Sequence, residues 1–228
     1  MTDSVYSIIL SLTDSVDNNN EVSSLKKFLS LPVEKQNIII NAGLKAFGTN
    51  GYKKTSASDI AVAAGISKAM IFHYFGTKKA FYLYLIELCG NIIVSEITER
   101  FDNTITDFFD RLMLSTEIEV SVMKKYSAIP SFLASVYFEN DKEVKDDIQA
   151  IFSQGESFRN KIAFDNINVS KFKANVDLKL VMKMLTWIAD GFTNQISHNT
   201  ELDFDIMIKE FYQCMNLLKN NLYKEEYL

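Results

Sequence analysis

Proline is nearly absent from this 228-residue chain. Pro32 and Pro130 are its two prolines, with eight glycines beside them. A sheet sandwich full of tight turns needs more of both, so their scarcity favours long helices. Cysteine is as rare: Cys89 and Cys214 form neither a disulfide framework nor a metal-ligand spacing, and read as two buried free thiols in a reducing cytoplasm. No uninterrupted apolar run of roughly 18 residues occurs, and the most apolar stretch, Phe81 to Val94, contains Glu87, Gly90 and Asn91, which argues against a membrane span. The first basic residue is Lys26, so the N-terminus does not read as a secretory signal. Catalytic patterns are missing too: no G-x-S-x-G, no H-E-x-x-H, no metal cluster and no Gly-rich nucleotide loop. The two histidines, His73 and His198, lie far apart in sequence. The expectation is no enzyme, no cofactor and no bound metal.

What is present is apolar bulk and an uneven charge. The chain is 47% hydrophobic, with 17 Phe, 10 Tyr and 8 Met, enough for a real core. Its formal net charge is −5. Residues 34 to 82 carry seven lysines (35, 45, 53, 54, 68, 78 and 79) against Glu34 and Asp59, a net of +5. Residues 1 to 33 carry a net of −2 and residues 83 to 228 a net of −8. A basic module on an acidic body suits one polyanion-binding end, although a solvated lysine face would give the same count.

Residues 55 to 81 organise the rest. Ser58 or Asp59 can cap a first short helix with Ile60, Ala61 and Ala64 on its apolar side. Gly65 supplies the turn. Ser67 caps a second short helix carrying Ile71 and Phe75, and Thr77 caps a longer third one. Two short helices, a glycine turn and small residues at the crossing describe a helix-turn-helix.

This stretch resembles the DNA-binding core of the tetracycline-repressor (TetR) family. Thr55, Ser56, Ile60, Ala61, Ala64, Gly65, Ile66, Ser67, Lys68, Ile71, Phe72, Tyr74, Phe75, Thr77, Lys78 and Phe81 meet the family pattern in order. Ala69 stands where the usual residue is Gly, Phe72 where it is Tyr, and Ser58 where many relatives have Arg. The clear resemblance covers about residues 33 to 90. It implies an all-α protein: an N-terminal extension (1–31), a helix-turn-helix DNA-binding domain (32–80), and a helical effector-binding and dimerisation domain (81–228), with about nine helices altogether.

The residues outside the motif read as helical as well. In the extension, Val5 to Leu12 could form a short helix, Asp14 to Glu21 reads as a polar linker, and Leu25, Phe28, Leu29 and Leu31 have the spacing to dock on the domain. A first domain helix is expected from about Pro32 to Thr49, ended by Asn50-Gly51. Later helices are expected over about Thr77–Phe101, Thr104–Tyr126, Ser131–Glu139, Asp141–Phe164, Val176–Ser197 and Thr200–Tyr223, with Pro130 as a break and Asn166–Asn175 as a loop.

The site residues follow from the resemblance. At 100° per residue, Ala69, Met70, Phe72 and His73 share one arc and would face the major groove, while Ile71 and Phe75 anchor the helix. No outward Arg, Asn or Gln is among them, so the strongest bidentate base readers are missing. Lys78 would clamp a phosphate, with Thr55, Ser67, Lys68, Tyr74 and Lys79 as further DNA contacts. Without the motif, His73 would read as structural and Phe72 as core. The family's effector pocket would draw on Phe109, Met113, Phe132, Tyr137, Phe152, Met184 and Trp187, although each singly fits a plain core. Together the aromatics and methionines favour a bulky apolar ligand. The last two helices would pair with a second copy through Val181, Leu185, Ile188, Gly191, Phe192, Phe211, Met215 and Leu218. The expected partners are a double-stranded DNA operator, a small apolar effector and a second copy of the chain, with no membrane. The implied function is a ligand-responsive regulator, usually a repressor; an all-helical interaction module without sequence-specific DNA binding is the alternative.

Overall fold

The computed structural model describes residues 19–198 and 203–228. The expected helix over residues 5 to 12, most of the expected linker, and the expected start of the last helix at Thr200 lie outside those residues. Ten α-helices are described: α1 (Asn19–Leu29), α2 (Val33–Lys54), α3 (Ala57–Ala64), α4 (Lys68–Phe75), α5 (Lys78–Arg100), α6 (Phe108–Lys125), α7 (Ile129–Tyr137), α8 (Lys145–Phe164), α9 (Leu178–His198) and α10 (Phe204–Leu222). No β-strand occurs among the described residues. One isolated antiparallel bridge joins Phe172 to Tyr223, just beyond α10.

Local chemistry explains where the boundaries depart from expectation. Asn19 to Glu21 is the start of α1, not linker. Pro32 precedes the first turn of α2 as its cap residue. Near its end α2 breaks at Gly51 (φ 72°), so Tyr52 to Lys54 leave the helix axis. The Asp107 carboxylate accepts the Asp110 amide at 3.1 Å, which starts α6 at Phe108 and not at Thr104. Pro130 falls in the first turn of α7, where its missing N–H costs nothing, so it opens that helix and does not break the chain.

The chain packs as two compact units that do not follow the expected boundary at residue 80. The first comprises the described residues up to Glu99 together with Ser121–Ser153. Its core joins Phe28, Phe47, Tyr52, Ile60, Ile71, Phe81, Tyr82, Leu85 and Phe132, each fully or almost fully buried. Phe47 and Tyr82 meet edge to face at 4.8 Å, and Phe132 lies 5.7 Å from Tyr82. Gly48 has the Phe132 backbone nitrogen 3.0 Å from where a Cβ would stand, so glycine there admits the α7 backbone against α2. By length and composition α5 could cross a membrane, but Phe81, Tyr82, Leu85, Leu88 and Cys89 are all buried in this core.

The second unit comprises Arg100–Val120 and Gln154–Leu228. Its core centres on Phe108, Phe109, Phe172 and Tyr223, with Phe172 and Tyr223 edge to face at 4.7 Å. Arg111 is almost fully buried. Its guanidinium donates to the carbonyls of Ile162 (2.7 Å), Ile105 (2.8 Å) and Lys161 (3.4 Å). It thereby satisfies orphan acceptors in the last turn of α8. Asp107 accepts from the Lys171 ammonium at 2.7 Å and the Tyr223 hydroxyl at 3.1 Å, with Lys219 at 3.3 Å. Burial opposes its ionisation, but the Lys171 and Asp110 hydrogen bonds and the nearby Lys219 outweigh that and hold its carboxyl below the ordinary aspartate value.

Candidate nucleic-acid interface

The capping of α3 differs from the sequence expectation. Three polar residues, Ser56, Ser58 and Asp59, stand at its start, and Ser56 is the cap. Its hydroxyl accepts the Asp59 amide at 3.1 Å, and the Asp59 carboxylate accepts the Ser56 amide at 3.2 Å. This reciprocal box needs an acid three residues after the cap, which neither Ser58 nor Asp59 has. The Ser56 bonds hold the Asp59 carboxyl below its ordinary value. Gly65 ends α3 in the left-handed region (φ 66°, ψ 29°). The Ser67 hydroxyl then accepts the Met70 amide at 3.3 Å and opens α4. Thr77 does the same for α5, accepting the Ala80 amide at 2.9 Å.

Helix α4 has two faces. Ile71, Tyr74 and Phe75 are buried, and Ser67, Lys68, Ala69, Phe72 and His73 are exposed. Met70 is half-buried against the core, so it belongs only partly to the outward arc. Phe72 is 38% exposed, with the Lys68 ammonium 5.9 Å from its ring. The expected outward Tyr74 is turned inward. It is 7% exposed and packs against Phe28 of α1 at 6.0 Å. Phe28 also meets Phe75 at 4.8 Å and Tyr84 at 5.9 Å. Helix α1 therefore buttresses the inner side of α4, the docking that the spacing of Leu25 and Phe28 suggested.

Three further expected DNA contacts are engaged within the protein. Thr55 is buried, and its hydroxyl lies 2.7 Å from the Gly51 carbonyl and 3.0 Å from that of Ala46, which ties down the break in α2. The Lys78 ammonium donates to the carbonyls of Tyr52 (3.0 Å) and Thr55 (3.2 Å), and sits 4.0 Å from the Tyr52 ring centre. Tyr52 is held from its other end as well, since its amide donates to Glu139 Oε2 at 2.9 Å, just beyond α7. Lys79 pairs with Asp147 at 2.7 Å. Lys53, Lys54 and Lys68, by contrast, are exposed, and none has an ion pair among the described residues. The motif gave the clamp to Lys78 and left Lys53 and Lys54 as part of a general basic count. Only the fold reveals which lysines turn outward.

The expected effector-pocket residues are divided between the two units. In the first unit, Phe132 is core, while Tyr137 is 44% exposed and lies 6.3 Å from the half-buried Phe152. In the second, Phe109 is core, Met113 is half-buried against it, and Met184 and Trp187 are exposed. Several of the expected dimer residues are used by the second unit's own core. Val181, Leu185 and Met215 are buried in the second unit's own core, and Phe192 packs on Phe211 at 5.9 Å. Ile188, Phe211 and Leu218 are half-buried against that core. Gly191 is exposed, with open space at its Cβ position. The face of α9 that stays uncovered carries Leu180, Met184 and Trp187, spaced i, i+4, i+7. A cavity of about 200 Å³ does exist in the first unit, lined by Ile40 and Leu44 of α2, Leu88 and Cys89 of α5, and Tyr126 and Ile129 near α7. Burial pushes the Cys89 thiol up, as for an inert, protonated core thiol.

Residues 39–85 match the family model described as bacterial regulatory proteins, tetR family. No curated protein matches the chain. Among solved structures, a TetR family transcriptional regulator from Chloroflexus aurantiacus superposes with a TM-score of 0.65 at 19% identity, over 88% of this chain and 98% of that one. The regulator FadR from Bacillus subtilis, in complex with stearoyl-CoA, gives 0.61 at 19% identity over 81% and 98%. A transcriptional regulator from Saccharomonospora viridis, in complex with choline, gives 0.57 at 19% identity over 85% and 100%. At these identities the likeness establishes the fold.

Proposed function

We propose, on the premise that residues 39–85 make the chain a tetR-family regulatory protein, that it binds double-stranded DNA as a homodimer and represses transcription until a small, largely apolar ligand releases it. The observation that carries the reading is the two-faced α4. Its inner residues are locked on α1 and the core, while Ser67, Lys68, Ala69, Phe72 and His73 stand free on one side. A short helix presented in this way by a capped helix-turn-helix fits the major groove. Ala69 and Phe72 suit thymine methyls, His73 a base edge or phosphate, and Lys68 a phosphate. Lys53 and Lys54 replace Lys78 as the main clamp on the backbone. The stearoyl-CoA held by the Bacillus subtilis protein is in keeping with an effector that carries a long apolar chain. The DNA-binding module remains residues 32–80, and cytoplasmic residence follows from the role.

The test is a gel shift across a range of salt concentrations, using the duplex upstream of the protein's own coding region and a scrambled duplex. Specific binding that weakens steeply with salt supports the reading. Equal binding to both duplexes would remove the operator from the proposal, and no binding at low salt would remove DNA altogether.

A further inference from the structure

A cavity of about 320 Å³ lies beside helix α4 on the side away from its outward face. Leu25 of α1, Tyr74 and Phe75 of α4, and Leu83, Tyr84 and Glu87 of α5 line it. Leu83, Tyr84 and Glu87 share one face of α5, spaced i, i+1 and i+4. Two polar groups in this apolar surround lack partners among the described residues. Tyr84 is 6% exposed, and its hydroxyl is buried with no hydrogen bond. Glu87 is half-buried, and burial pushes its carboxyl above the ordinary glutamate value. The Tyr84 hydroxyl is sealed off, but Glu87 lines the cavity, and leaving a half-buried carboxylate unmatched is costly, so it marks a place where something else completes it.

The charge of the lining says what that is. Lys79 and Asp147 also border the cavity, but they are paired with each other at 2.7 Å. Glu87 is left as the unbalanced charge, so an anion is disfavoured and a cation favoured. The rings of Tyr74, Phe75 and Tyr84 offer π faces, with Phe75 and Tyr84 5.4 Å apart. The Glu87 carboxylate can accept from an ammonium group.

We propose that this cavity binds a small organic cation, a primary amine on an apolar body, with its ammonium held by Glu87 against the rings of Tyr74, Phe75 and Tyr84. The site is separate from the DNA-facing side and from the apolar effector proposed above. Tyr74 and Phe75 form one wall and belong to α4, so occupancy alters how that helix is seated. This last step rests on the DNA-binding reading; binding of the amine does not.

Titration calorimetry of the full chain without DNA tests the site, with benzylammonium as probe and benzyl alcohol and benzoate as neutral and anionic counterparts. Saturable binding of benzylammonium is expected, about tenfold or more weaker in Glu87→Gln and unchanged in Glu226→Gln, a residue that does not line the cavity. Leu83→Trp should fill the cavity and block binding, which covers the case of a Glu87 variant that fails to fold. No saturation by roughly 10 mM, equal affinity in Glu87→Gln, or equal affinity for benzyl alcohol would each overturn the proposal. If the amine binds but leaves the gel shift unchanged, the site stands and its coupling to DNA falls.

Discussion

A lysine ammonium has three protons, and Lys78 directs two of them at the carbonyls of Tyr52 and Thr55. Charge-assisted bonds of this kind contribute about 1.5–3 kcal/mol each at most, less where water competes. Lys78→Ala is therefore expected to lower stability by about 2 kcal/mol in urea unfolding. Lys68→Ala should leave stability within about 0.5 kcal/mol and reduce the salt slope of DNA binding by about one. Equal stability of the two variants would return Lys78 to the role of a free clamp. The motif showed that a lysine stands at this position but not which way it points. Thr55, Lys78 and Arg111 all turn inward because backbone carbonyls freed by helix ends and by the Gly51 break lie within reach, and those carbonyls have no signature in the sequence. Asp107 is the titrating counterpart. Its folded value is lowered, so its contribution is complete above the unfolded value of about 4 and is lost as pH falls below it. Asp107→Asn should accordingly be less stable than the parent at pH 7, with the gap closing below about pH 4 in pH-dependent unfolding. A gap independent of pH would assign the loss to packing alone.

At the scale of single elements, apolar spacing was readable and polar termini less so. Leu25, Phe28 and Leu29 have helical spacing, and all three are buried in α1. Ile60, Ala61, Ile71 and Phe75 likewise take their expected inner places. The α3 cap was misplaced by two or three residues because three closely spaced candidates compete, and the reciprocal carboxylate decides among them. Ser56→Ala should cost about 1 kcal/mol, and an unchanged unfolding midpoint would show that the box contributes nothing. Helix α1 gives a larger effect. Phe28 is fully buried and touches Tyr74 and Phe75, both on α4. Phe28→Ala should lose about 3–5 kcal/mol. The milder Phe28→Leu should still fold while weakening DNA binding, because α4 loses the ring behind it. A folded Phe28→Leu protein with full DNA affinity would make α1 a mere cover.

For the molecule as a whole, dimerisation is the expectation whose residues changed most. The heptad-like apolar content of the last two helices could close a monomer core or join two copies, and periodicity alone does not divide those uses. In the folded chain some of these residues lie in the core and others stay exposed. Val181, Leu185 and Met215 face inward, whereas Leu180, Met184 and Trp187 of α9, with Ile206 and Leu217 of α10, remain exposed. Trp187 is 57% and Leu217 64% exposed, and large apolar side chains left in water suit the homodimer contact proposed above. The electrostatics call for the same pairing. The chain carries −5 overall, with its positive charge concentrated in residues 34 to 82, so one module offers few phosphate contacts against an acidic remainder and two modules double them. Trp187→Glu places a charge at one end of the exposed α9 stripe, on its most exposed member, while sparing the core. It is expected to sediment as a folded monomer at micromolar concentration where the parent is a dimer, and to bind the full duplex at least about tenfold more weakly. Val181→Glu serves as the contrast, since a charge at that buried position should unfold the second unit and not split a dimer. A Trp187→Glu protein that stays dimeric would move the interface off α9.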